Sequence, residues 1–220
     1  MKTIFRGALS FGGFIAILYA SYLLILLSLP YIHFERDVEF LETKQLIYHI
    51  KWWRYSFYIH VFSSPVVILS GLFQFNRWMI HNKPKLHRIL GYVYITSVLL
   101  ISAPSALIMA FYANGGRVAQ ISFVALTVCW ILCTWIAYKK ARKGDYLSHV
   151  NWMLRSYALT LSAVTLRFYA YLFDVLNVPL PPRETYILLS YLSWIPNLFI
   201  VQLMIWLNYP RYLLAGRVIN

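Results

Sequence analysis

From Val118 to Tyr138 the chain reads VAQISFVALTVCWILCTWIAY, a stretch with no charged residue, bracketed by Arg117 and by Lys139-Lys140. As a helix rising 1.5 Å per residue it is about 30 Å long, the thickness of a bilayer's hydrocarbon core. It is too long for a strand, and its apolar residues go all the way round, which a half-solvated helix does not allow. The stretch therefore predicts a helix that crosses a membrane.

Five more blocks of this kind flank it. They run from about Gly12 to Leu29 (stopping at Pro30), Trp53 to Phe75, Ile89 to Tyr112 (stopping before Asn114-Gly115-Gly116), Val150 to Leu176, and Tyr186 to Leu207. In lipid the backbone has no water to bond, so segments of this length must be helices. The expected fold is all-α: one polytopic transmembrane domain over residues 1–220, a bundle of about six transmembrane helices. The first block follows Lys2 and Arg6, but it is long for a signal peptide and has no small-x-small cleavage site, so it reads as a span.

Composition agrees. The chain is 60% hydrophobic and 12% charged, against about 25% charged for an average soluble domain. The net charge of +13 sits in short loops between apolar blocks. That pattern points to membrane topology and to anionic lipid heads at the cytoplasmic loops, and excludes nucleic acid as a partner. With the N-terminus inside, the inner side holds Lys2, Arg6, Arg77, Lys83, Lys85, Arg88, Lys139, Lys140, Arg142, Lys143, Arg155, Arg211 and Arg217. The outer side holds only Arg36, Lys44, Lys51, Arg54, Arg117 and Arg183. This bias predicts both termini in the cytoplasm and, for a bacterial chain, residence in the cytoplasmic (inner) membrane.

The longest loop, about Tyr31 to Trp52, has apolar residues at helical spacing (Phe40, Leu41, Ile47, Ile50). It predicts a short helix on the outer surface, with Trp52 and Trp53 at the headgroup boundary. Pro179-Leu180-Pro181-Pro182 makes a stiff outer turn. Cys129 and Cys133, four apart, share a helix face and read as small core residues.

Ionisable residues inside spans are costly, and each is a candidate for function. His87 opens the third span and His149 the fifth, both from the cytoplasmic side and so at similar depth. Two imidazoles from different helices at one depth can clamp a haem iron from both faces, which makes the pair candidate ligands of a b-type haem. The plainer alternative is that both are interfacial. Gly91 allows close approach of a macrocycle or of a neighbouring helix. His60 lies deeper, in the outer half of the second span near Ser63, Ser64 and Pro65. It is a candidate ligand, proton relay or substrate contact, or else an interhelical hydrogen bond. A second haem on His60 lacks a partner, because the fourth span has no histidine.

On the fifth span His149, Ser156, Thr160, Ala163, Arg167 and Asp174 fall on one stripe, which should face the bundle interior. Arg167 lies near the depth of His60 and needs a partner: Asp174 two turns on, or an anionic ligand. His60, Arg167, Asp174 and Arg155 are thus candidate substrate-binding residues. Gln74, Asn76, Ser102, Ser105, Gln120, Asn197 and Gln202, with Pro104 and Pro196, suggest irregular helices around a polar interior. There is no Gly-rich phosphate loop, nucleophile elbow, zinc-protease motif or CxxC, and no metal ligand set is expected.

Three runs carry a resemblance. They are Tyr58-Ile59-His60 with Gly71-Leu72-Phe73-Gln74-Phe75; Leu86-His87-Arg88-Ile89-Leu90-Gly91-Tyr92-Val93-Tyr94; and His149-Val150-Asn151-Trp152-Met153-Leu154-Arg155-Ser156-Tyr157-Ala158-Leu159-Thr160 with Leu166-Arg167. Over about Tyr55 to Arg167 the chain resembles a family of bacterial membrane proteins known as a domain of unknown function (the DUF 2306 family). The resemblance implies a multi-span membrane protein. It carries no established activity, and it points to His60, His87, His149, Arg155 and Arg167 as the positions to test. The layout is also similar to that of transmembrane haem b cytochromes, without the four histidines of a di-haem member. Three functions follow: haem-based electron transfer through His87 and His149; binding or transport of an amphiphile or small anion at an outer His60/Arg167/Asp174 cavity; or a structural or assembly role.

Overall fold

The computed structural model describes residues 2–215, with side chains from Gly12 onward. Arg217 lies outside the described residues, as do the side chains of Lys2 and Arg6. All regular structure among the described residues is helical. Six stretches are long and apolar enough to cross a membrane: Gly12–His33, Lys51–Phe75, Pro84–Ala110, Arg117–Arg142, Tyr146–Val175 and Pro182–Trp206.

The first span is α1 (Lys2–Ser28), which tightens into a 3-10 turn over Leu29–His33. The second, α2 (Lys51–Leu72), runs unbroken through Pro65 and ends in a 3-10 turn at Phe73–Phe75. A short α3 (Arg77–Asn82) follows, started by Asn76, whose Oδ1 accepts from Met79 N at 3.2 Å. The third span is composite: α4 (Pro84–Thr96), a π-helical segment Ser97–Ser102, then α5 (Ala103–Ala110). The fourth is the continuous α6 (Arg117–Arg142). The fifth comprises α7 (Tyr146–Thr160) and α8 (Ser162–Val175); the sixth comprises α9 (Pro182–Leu192) and α10 (Ile195–Trp206). The short α11 (Tyr209–Leu214) closes the described chain. Proline stands in the first turn of α4, α9, α10 and α11, where its missing N–H costs little, and Pro104 sits just after the π segment of the third span.

The centre of the bundle is where α7 packs against α6, α4 and α2. Tyr94, Val98, Trp130, Met153, Tyr157 and Leu159 form its buried apolar cluster. A polar web runs through it. Tyr94 Oη lies 2.7 Å from Ser156 Oγ and 2.8 Å from Thr160 Oγ1. Trp130 Nε1 donates to Thr160 Oγ1 at 3.0 Å, and Thr134 Oγ1 meets Ser156 Oγ at 2.6 Å. Each hydroxyl would be costly to bury in lipid alone; together they tie α4, α6 and α7. Gly71 of α2 is required here, since a Cβ would collide with the rings of Tyr157 and Tyr94.

The long loop differs from its expected form. It folds as a 3-10 helix (Glu39–Lys44) and turns, not as an α-helix lying on the surface. Leu41 is fully buried against Tyr31, Trp53 and Phe57, and Trp53, expected at the headgroups, is 1% exposed. Trp52 is the exposed member of the pair and donates to Tyr112 Oη at 3.0 Å. Lys44 is also drawn inside. Its Nζ donates to Tyr112 O at 2.5 Å and to Asn114 Oδ1 at 2.6 Å, pinning the loop to the far end of the third span, and burial pushes its pKa down to about 8.

Candidate functional site

His87 and His149 come together as their chain positions predict. Both line one small cavity of about 30 Å³ at the end of the bundle that carries Lys83, Lys85, Arg88, Lys139, Lys140, Arg142 and Lys143. Gln74, Phe75, Tyr146 and Met153 complete the walls, and Ile80 of α3 with Leu213 and Leu214 of α11 makes the floor.

Each histidine is placed by its neighbours. Asp145 caps α7: its Oδ1 accepts from Ser148 N at 3.1 Å, and Lys140 Nζ lies 2.9 Å from Oδ2. These contacts hold the Asp145 pKa down at about 2, the Lys140 bond being the largest cause. The cap sets the first turn of α7, and hence the direction of His149. His149 Nδ1 lies 2.9 Å from Ala137 O on α6. A carbonyl only accepts, so Nδ1 carries the proton and a neutral ring has its lone pair at Nε2.

His87 sits in the first turn of α4, where the Gln74 side chain enters. With its NH2 toward His87 O (3.2 Å) and its carbonyl toward Gly91 N (3.1 Å), Gln74 satisfies both groups. Gly91 thus makes room for Gln74, whose terminal amide group would be 3.2 Å from a Cβ there.

The floor consists of two six-residue helices pinned to one another. Arg77 donates to Ala215 O at 2.6 Å and stacks over the Tyr212 ring at 4.9 Å, and His81 Nε2 lies 3.2 Å from Leu213 O. The sequence reading named neither the floor nor Tyr146. The available signal was Asp145 as a helix cap immediately before Tyr146.

The outer candidates are not brought together in the same way. His60 Nδ1 lies 3.0 Å from Ser102 O, the last residue of the π segment, and Ser63 Oγ is 2.5 Å from Ser102 Oγ. His60 therefore joins α2 to the irregular third span, as one of its two readings has it. Arg155 donates to Gln202 Oε1 at 2.8 Å and stacks on Trp152 at 4.9 Å, which links α7 to α10 away from His60.

The stripe on the fifth span divides at Leu161. Ser156 and Thr160 are buried, but Arg167 and Asp174 are exposed, contrary to the expectation that the whole stripe faces inward. Thr165 Oγ1 bonds to Leu161 O at 3.1 Å and Ser193 O at 2.5 Å, while Val164 N reaches back only three residues to Leu161 O. This tighter turn ends the α7 register, so α8 presents a different face. Among the described residues the ion pairs are Arg36–Asp37 and Lys140–Asp145; Arg167 and Asp174 form none.

The family model described as "Predicted membrane protein (DUF2306)" matches residues 57–205, which include every one of these candidate side chains. No curated protein and no solved structure matches the chain.

Proposed function

The chain belongs to the DUF2306 family of predicted membrane proteins, and from that premise we propose that it is a membrane electron carrier built around one imidazole pair, His87 and His149, with a b-type haem as the group they hold. By the charge bias the pair lies in the cytoplasmic leaflet. The observation that supports this reading is that two histidines from separate helices line one cavity, while the Ala137 carbonyl directs the His149 Nε2 lone pair to be the ligand.

The donor set suits a haem better than a bare ion. Among the described residues no group of three or more His, Cys, Asp or Glu could hold a metal ion. A haem brings four nitrogens of its own and asks the protein for only two, and when bound it passes single electrons. The space does not suit a haem with α3 and α11 in place: about 30 Å³ takes roughly one water, whereas cofactor pockets run to about 300 Å³ and more. With this floor in place the cavity does not admit a haem, so the haem reading rests on the histidine pair and the His149 Nε2 lone pair alone.

The same volume favours a second reading. With the floor closed, His87, His149, Gln74 and Tyr146 surround room for about one water and form a proton relay. Absorption spectra of detergent-purified protein, oxidised and then dithionite-reduced, decide between them. A Soret band with sharp reduced bands, lost in His87→Ala and in His149→Ala, is the expected result. A featureless spectrum from protein expressed with ample haem sinks the haem reading and leaves the relay.

A further inference from the structure

Arg167 stands in a span with a surface-accessible side chain and no acidic partner among the described residues. Asp174, the carboxylate nearest in sequence, lies two turns away and does not reach it. The guanidinium does not stretch toward the near end of α8. Its Nη1 donates to Ala163 O at 2.8 Å, one turn back toward the middle of the membrane. Among the described residues the rest of its N–H fork makes no hydrogen bond, and the side chain, exposed on the protein surface, lies within electrostatic reach of His60 and Tyr31. Neither of those is an anion at neutral pH. A cation within a span is costly when it has no partner, and an anion would offset that cost.

The surroundings indicate what kind of anion. No side chain of α8 is buried, and Tyr171, one turn beyond Arg167 on the same face, is 69% exposed, as Phe168 beside it is 56% exposed. The approach to the guanidinium is therefore through lipid and not through a water-filled pore. The fifth span has 30 residues, about 45 Å of helix against roughly 30 Å of hydrocarbon. The end of α8 therefore extends toward the headgroups, and Arg167 lies about 12 Å below it. A group that arrives with its own acyl chain meets Arg167 sideways, with an acidic oxygen pair matched to the planar fork.

We propose that Arg167 is a lateral lipid site that holds the phosphate of an anionic phospholipid from the outer leaflet. It is independent of the histidine centre. The test uses the full chain in phosphatidylcholine nanodiscs with increasing phosphatidylglycerol. Thermal unfolding and native mass spectrometry follow stability and retained lipid. The expected result is retained phosphatidylglycerol and a rise in Tm of about 3 °C, both lost in Arg167→Gln and partly kept in Arg167→Lys, which has the charge but not the fork. Should Arg167→Gln fail to fold, phenylglyoxal labelling of the wild-type chain reads the same site: phosphatidylglycerol should slow modification of Arg167. Unchanged labelling, or equal retention of both lipids, overturns the proposal. Stabilisation by inorganic phosphate alone, with none from phosphatidylglycerol, overturns the lipid and leaves a free-anion site.

Discussion

In α7, Met153, Leu154 and every residue from Ser156 to Thr160 are buried, whereas α8 continues the same span beyond Leu161 and buries none of its side chains. The sequences of the two halves do not announce the difference, since both mix Leu, Tyr, Ser or Thr with one arginine. What separates them is company. α7 is surrounded by α2, α4, α6 and α10, and its hydroxyls close a web that is complete without water. α8 leans mainly on α9; Thr165 bonds to the sixth span, but its charged residues Arg167 and Asp174 are exposed. In a bilayer, where apolar burial gives little drive, packing and internal hydrogen bonds decide which half is rigid.

The sharpest way to break this contrast is Gly71→Ala, where α2 packs against the Tyr157 ring of α7. The added methyl meets the Tyr157 and Tyr94 rings and should destabilise by about 2–3 kcal/mol in reversible unfolding, despite the better helix propensity of alanine. A change within 0.5 kcal/mol would mean that the α2–α7 contact is not as tight as described. Tyr94→Phe comes next: it removes the hydroxyl shared by Ser156 and Thr160 and should cost about 1–2 kcal/mol in the same assay.

Lys44 tests whether looseness belongs to α8 or to the whole loop-bearing end. Its pKa falls from 10.5 to about 8 because burial penalises the charge, so between those values the unfolded chain holds the extra proton. Stability should therefore rise with pH, by about 1 kcal/mol from pH 7 to 9, and the rise should vanish in Lys44→Met. A neutral amine still has two N–H groups for Tyr112 O and Asn114 Oδ1. A flat profile in the wild-type chain would place Lys44 in water and make that whole end loose. The smallest effect is expected from Phe168→Ala in α8, within about 0.5 kcal/mol, because its ring already faces outward. A loss above 2 kcal/mol would show that α8 is packed after all.

Much of this was legible in the chain. Span positions follow from run length, and depth follows from residue count, so His87 and His149, each opening a span from the same side, could be placed at one end of the bundle. The face of Arg167 could not be read this way. A stripe at 100° per residue assumes one continuous helix, and the turn at Leu161, shaped by Thr165 and its bond to Ser193 on another span, ends that continuity. Trp53 was misread for a related reason. At a span end tryptophan prefers the headgroups, unless a folded loop covers it, and the cover here is a cluster of Tyr31, Leu41 and Phe57.

By itself the sequence determined the six spans, the helical class and the shared end of the two histidines, because hydrocarbon thickness and backbone bonding in lipid leave a long apolar run few alternatives. Only the tertiary structure decided the rest. The size of the histidine cavity depends on α3 and α11 bonding to each other, His60 depends on the carbonyl of Ser102, and the isolation of Arg167 depends on Asp174 standing out of reach. Each of these is a meeting between residues far apart in the chain or a change of register between neighbours, and hydropathy along a single helix encodes neither.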